Sequence, residues 1–214
     1  MIKLHNIDCM KYMKTCEDNK FDLAIVDVNY GINQGGSTNK TRSKLAISKD
    51  YHSYDDSSSP DISYFKKLIR ISKNQIIWGA NHFISKIPFD SSCWIVWDKD
   101  NGTTDFADCE LAYTSFKTAV RILKYRWQGM LQQNMKNKQK RIHPNEKPIK
   151  LYEWLLINYA KPGQTIFDSH FGSLSIGIAC HNLGFDLTAC ELDKDYFDAA
   201  KKRLEIHQMQ KRLW

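Results

Sequence analysis

The stretch Phe21-Asp22-Leu23-Ala24-Ile25-Val26-Asp27-Val28-Asn29-Tyr30-Gly31 constrains the fold more than any other. Leu23 to Val26 is a short, continuous apolar run, the pattern of a strand buried on both faces of a parallel sheet. It ends in an acid, two further residues, an aromatic and a glycine. Ligands of open α/β sheets bind outside the carboxyl ends of the strands. An acid there, three residues before an aromatic, can accept hydrogen bonds from a planar amine while the ring stacks on its face. The same residues could equally form a strand running into an ordinary turn.

The residues before this stretch make the sheet parallel from its start. Lys3 to Ile7 reads as a strand ending at Asp8, and Cys9 to Thr15 as a short helix with Met10, Tyr12 and Met13 on one face. With the strand at Leu23 this is a β-α-β unit. Downstream, Asp61 is a helix cap before Tyr64 to Ile71. Gln75 to Trp78 and Cys93 to Trp97 read as strands, and Glu110 to Phe116 as a strand near a sheet edge. A helix from Ile149 to about Tyr159 starts behind Pro148 as a first-turn proline. A strand follows over Gln164 to Asp168, another over Leu187 to Cys190, and a last helix over Tyr196 to about His207. The 214 residues are expected to form a single α/β domain with two insertions, at about 33–60 and about 117–142. The first has the composition of a linker or a mobile lid.

Charge and cysteines narrow the setting. The six cysteines are scattered with no Cys-x-x-Cys pair, so neither a disulfide framework nor a metal site is expected. No run approaches the ~20 apolar residues of a membrane span, and residues 1–5 lack a secretory apolar core; a cytoplasmic location is the simple expectation. The net charge of +7 favours a polyanionic partner. It is concentrated in residues 117–141, where Lys117, Arg121, Lys124, Arg126, Lys136, Lys138, Lys140 and Arg141 occur with no acid. Tyr125, Trp127 and several amides are interleaved, as befits contacts to phosphates and bases, although a solvated basic loop would look alike.

A second chemical stretch runs from Asp168 through Ser169, His170, Phe171, Gly172 and Ser173 to Leu174, a strand, a small-residue turn and a helix start. Backbone N–H groups at such a turn face a ligand. About 20 residues later a strand ends in Glu191, suited to a ribose hydroxyl pair. A dinucleotide is disfavoured because the full G-x-G-x-x-G is absent, and with it a nicotinamide oxidoreductase.

In order, these are the acid-aromatic motif, the basic region, His143-Pro144-Asn145-Glu146-Lys147-Pro148, the glycine loop and the ribose acid. That order resembles the amino-group (N4/N6) DNA methyltransferases in which the catalytic motif precedes the cofactor motif, in particular small adenine-N6 enzymes of phages and mobile elements. The resemblance spans almost the whole chain, including Trp78 to Phe83, Asp105 to Glu110 and the tail from Leu183. It implies a Rossmann-like fold with a mostly parallel seven-stranded sheet and helices on both faces. It implies S-adenosylmethionine as cofactor, double-stranded DNA as substrate, and a homodimer or related partner, sometimes beside a restriction enzyme. Asp27, Val28, Asn29 and Tyr30 would meet the target base; Asp8, Lys147, Asp168, His170, Gly172, Ser173, Leu174 and Glu191 would hold the cofactor, with Lys147 near its methionine end.

The chain departs from the family pattern in two places. Val28 and Asn29 replace the prolines of D-P-P-Y, and Leu174 the last glycine of F-x-G-x-G, with His170 at its phenylalanine. If position 174 needs positive φ, leucine costs about 1–2 kcal/mol there, and its side chain would intrude on the cofactor. Two other functions stay open: a silent methyltransferase fold that binds DNA or an active partner, and a methyltransferase for RNA or small molecules.

Overall fold

The computed structural model describes residues 1–33, 56–102, 107–128 and 131–210. Residues 34–55, most of the insertion expected at about 33–60 as a linker or lid, lie outside the described residues.

The strands are β1 (Ile2–Asn6), β2 (Phe21–Asp27), β3 (Ser72–Trp78), β4 (Trp94–Asp98), β5 (Cys109–Thr114), β6 (Arg121–Lys124), β7 (Thr165–Asp168) and β8 (Asp186–Glu191). They form one sheet in the order β1-β8-β7-β2-β3-β5-β4-β6. β5 pairs antiparallel with β3 and with β4, and every other pairing is parallel, so β5 alone runs reversed.

The helices are α1 (Cys9–Lys14), α2 (Ile62–Ile71), α3 (Ile149–Tyr159), α4 (Ser175–Leu183) and α5 (Lys194–Met209). Asp61 caps α2 as its sequence predicts, its carboxylate accepting from the Ser63 and Tyr64 N–H groups. Pro148 sits one position earlier than expected, as the residue flanking α3 rather than inside its first turn.

The apolar run of β2 shows why the sheet is covered on both sides. Side chains alternate across a strand: Leu23 and Ile25 join a core with α3, α4 and α5, while Ala24 and Val26 join a second core with α1 and α2. A strand apolar at every position therefore needs helices on both faces, which is what the chain supplies.

Two expectations are corrected. The sheet has eight strands among the described residues, not seven, because β6 lengthens it within the basic segment. The segment around Glu110, expected near a sheet edge, lies two strands in from it, with β4 and β6 outside. Trp94, Ile95, Val96 and Trp97 give β4 two faces worth covering, and both of its edges are taken.

Candidate active site

β2 and β7 lie side by side, and the helices that follow them, α2 and α4, pack on opposite faces. Their loops diverge and leave a crevice at the carboxyl edge of the sheet. The cleft there holds about 1270 Å³ and is lined by Asp8, Asp27, Tyr30, Lys147, Gly172 and Glu191 among others. Pockets for one small ligand span about 300–1,000 Å³, so this one has room for two groups side by side.

One half of the cleft is an ion cluster. Lys147 Nζ lies 2.5 Å from Asp27 Oδ2 and 3.0 Å from Glu110 Oε2, and donates to Tyr30 Oη at 3.2 Å. Tyr30 Oη donates to Asp27 Oδ1 at 2.9 Å. Lys99 Nζ closes the chain 2.5 Å from Glu110 Oε1. Burial pushes the Asp27 carboxyl up against the pull of Lys147, and the charge of Glu110 adds to the rise. Burial acts on Glu110 too, but it faces two ammonium groups, Lys147 and Lys99, and is held below the usual carboxylate range. Two carboxylates are thus set apart by their surroundings.

Tyr30 is fixed by its neighbours. A Cβ on Gly79, whose φ is +68°, would stand 2.1 Å from the ring, so only glycine lets the tyrosine lie there. The His82 imidazole stacks on the same ring, 5.1 Å between centroids and 18° from parallel. Val28 is buried in the core beneath, and Asn29 is half-buried at the cleft wall.

The other half is built from backbone. Glu191 Oε2 accepts the Gly172 N–H and Oε1 the Asp193 N–H, each at 2.9 Å. Asp8 caps α1 through the Met10 and Lys11 N–H groups while lining the cleft. The His170 ring bonds Ser169 Oγ through Nδ1 at 2.8 Å, and Ser169 Oγ meets Tyr64 Oη at 2.6 Å. Burial brings His170 down to about 4, and likewise His143, whose ring faces Gly172 and packs on Tyr196. Both imidazoles are therefore uncharged at neutral pH.

Three expected cofactor contacts are placed differently. Asp168 lies beneath the loop, 1 % exposed and outside the cleft wall, where its carboxylate takes the His170 N–H at 3.0 Å. Burial and the charges of Asp27 and Glu191 push it up to about 8. Lys147 points into the ion cluster, because two carboxylates outbid any other partner for a buried ammonium. Leu174 does take positive φ, +58°, but its side chain turns into the core. It fills the space above Gly177, where an added Cβ would stand 2.6 Å from Leu174 Cγ. The side of the loop that faces the cleft is left clear of it. Ser173 stays at the cleft, buried, with its hydroxyl 3.2 Å from that of Ser175.

Side chains invisible to motif reading brace the two halves. Arg203 of α5 donates to the Ser173 carbonyl at 2.8 Å and to Glu146 Oε1 at 2.9 Å, tying the glycine loop to the segment that carries Lys147. Trp127 Nε1 donates to the Glu146 carbonyl at 2.7 Å. Arg203, Glu110, Lys99 and His82 have no site role in the sequence, and Trp127, expected among the nucleic-acid contacts, serves here as a brace. The available signals were the stretch Asp105 to Glu110, which holds Glu110, and Trp78 to Phe83, which holds His82.

The basic segment is split. Lys117, Lys136, Lys138 and Lys140 are exposed. Arg121 and Lys124 stand on β6 rather than in a loop, and Lys124 and Arg126 both pair with Asp100, an acid from outside the segment. Arg141 is half-buried at the cleft and donates to the Pro144 carbonyl at 3.2 Å.

Comparison with known proteins gives concordant results. The family model N6_N4_Mtase, DNA methylase, matches residues 41–202. The type II methyltransferase M2.DpnII of Streptococcus pneumoniae is 24% identical, covering 96% of this chain and 90% of that protein. The crystal structure of an M1.HpyAVI–SAM complex superposes with a TM-score of 0.59 at 21% identity, over 95% of this chain and all (100%) of that one. PvuII DNA methyltransferase, cytosine-N4-specific, superposes at 0.60 with 11% identity, over 100% of this chain and 88% of that one.

Proposed function

Because the chain belongs to the N6/N4 DNA methylase family, we propose that it transfers a methyl group from S-adenosylmethionine to the N6 of an adenine turned out of double-stranded DNA. The observation that carries the reading is the two-part cleft, with Asp27 and Tyr30 on one side and the Gly172–Glu191 pair on the other. Its size suits a cofactor and a flipped base together.

The residues present fit the cofactor. S-adenosylmethionine when bound supplies an electrophilic methyl on a cationic sulfur. Asp8, Glu191 and Asp193 put carboxylates at that end of the cleft, and the two imidazoles there are neutral and do not repel a cation. Glu191 keeps lone pairs for a ribose diol beyond the two it gives to backbone N–H groups. Leu174 stays out of the way.

On the base side, Asp27 accepts one N–H of the target amine and the Val28 carbonyl the other, which turns the nitrogen lone pair toward the methyl. Tyr30 stacks on the base. An aspartate in first place favours adenine, since cytosine-N4 relatives more often carry serine. Lys117, Lys136, Lys138 and Lys140 neutralise phosphates.

One observation favours a silent relative instead: Asp27 is already engaged by Lys147 and Tyr30, and neither flanking residue is proline. Calorimetric titration with S-adenosylmethionine and its demethylated product separates the two. Micromolar binding, followed by N6-methyladenine in treated unmethylated DNA, is expected. N4-methylcytosine would reassign the base. No binding up to millimolar, by folded protein that still holds DNA in a salt-dependent way, would leave the silent reading.

A further inference from the structure

The ion cluster holds one more carboxylate than recognition of an amine uses. Glu110 stands near the start of β5, and its two oxygens are divided between two ammonium groups, Lys99 at 2.5 Å and Lys147 at 3.0 Å. Lys147 is 4 % exposed, and its three N–H groups meet three acceptors, on Asp27, Glu110 and Tyr30. Cation and anion alternate along Lys99, Glu110, Lys147 and Asp27, so the row is neutral as a whole.

We propose that Glu110, braced by Lys99, is a positioning residue that holds the Lys147 ammonium between two carboxylates and so sets how firmly Asp27 is claimed and how freely it accepts the target amine. The proposal rests on the amine-methylation reading above.

The geometry gives each end of the row an opposite effect on Asp27. Without the charge on Glu110, Lys147 belongs to Asp27 alone, and the carboxylate form of Asp27 is favoured. Without Lys99, Glu110 has Lys147 as its one cation and draws it away, and the protonated form of Asp27 gains. The other groups facing Asp27 are Tyr30 from its own loop, Tyr152 from α3 and Asp168 from β7, and these are the same in both cases. The rise of Asp27 on burial and the fall of Glu110 beside two ammonium groups agree with this division of charge.

The test compares Glu110→Gln and Lys99→Met in the full chain. Aspartate labelled with ¹³C at the side-chain carboxyl is titrated by NMR without substrate, the Asp27 signal being the one absent from Asp27→Asn. The pH profile of methyl transfer is recorded alongside. The Asp27 midpoint should fall in Glu110→Gln and rise in Lys99→Met, by about one pH unit each, and the acid limb of the rate should follow. Shifts of the same sign, or none, would overturn the proposal, since a merely structural role lowers rates without moving midpoints apart. Should Glu110→Gln fail to fold, Lys99→Met at the far end of the row decides alone, and its midpoint must rise. Methyl transfer with unmoved midpoints rejects the positioning role and keeps the methylation reading. Opposed midpoints without any methyl transfer support the coupling and reject that reading.

Discussion

Glu191 ends β8 and Asp27 ends β2, two places apart along one sheet edge, yet the two acids are held by different means. Glu191 is fixed by backbone N–H groups of its own neighbourhood, Gly172 and Asp193. Asp27 is fixed by side chains, the Tyr30 hydroxyl of its own loop and the Lys147 ammonium from a distant segment. Backbone donors carry no titratable charge and cannot be redirected, which suits the ribose-holding role proposed for Glu191. A carboxylate held by ions can be tuned by the groups behind it, which suits the base-binding role proposed for Asp27.

The largest expected effect breaks the tunable side. Asp27→Asn should lower methyl transfer by on the order of 10²–10³-fold, as loss of a preorganised polar partner does, while calorimetry shows S-adenosylmethionine binding within a few-fold of the parent. Loss of both together would mean that the two halves are not independent.

Glu191→Ala reverses the pattern. Hydrogen bonds to a charged group are worth about 1.5–3 kcal/mol, so cofactor affinity should fall by roughly 10- to 100-fold. Unchanged affinity would remove Glu191 from the cofactor site.

A smaller effect probes the loop between the two acids. Gly177→Ala places a Cβ against Leu174 and should destabilise the protein by about 1–3 kcal/mol in urea unfolding. The cost should shrink in a Leu174→Ala background. An unchanged cost there would show that Gly177 does not serve to seat Leu174.

The smallest effects lie on the surface, where the same contrast of held and unheld charge recurs. Lys136, Lys138 and Lys140 replaced by glutamine should each reduce the salt slope of DNA binding by about 0.9. Lys124→Gln should change it less, because its ammonium is 2.9 Å from Asp100. Equal slopes would show that the Asp100 pairs open on DNA.

A fourth acid reports on the edge as a whole. Asp168 is protonated up to about pH 8 in the fold and ionises near the ordinary carboxylate value when unfolded. The unfolded chain therefore holds fewer protons across that interval, and stability falls as pH rises through it. Thermal melts of Asp168→Asn should lack that part of the fall.

Where local rules suffice, the sequence is explicit. Leu23 to Val26 reads as a strand ending at Asp27 because an acid interrupts the apolar run there, Asp61 as a cap because its oxygen reaches the next N–H groups, and Ile149 to about Tyr159 as a helix. The motif order pointed to the right family, and Asp27, Tyr30, Gly172 and Glu191 do converge on one cleft. The side-chain direction of Leu174 was not legible. Its positive φ follows from the turn, but whether the leucine points at a ligand or into the core depends on Gly177, three residues on and packed beneath it.

By itself, then, the sequence determined every described strand but β6, the helices and the residues that end at the carboxyl edge, because these depend on periodicity and neighbours within a few positions. The tertiary structure decided which charges meet. Glu110 reaches that edge because β5 runs against the rest of the sheet, Lys99 because β4 ends beside it, and Lys147 because Arg203 and Trp127 hold its segment in place. Interactions between ions fall off with distance in space and take no account of distance along the chain, so the partners of Asp27 become visible only once the sheet has formed.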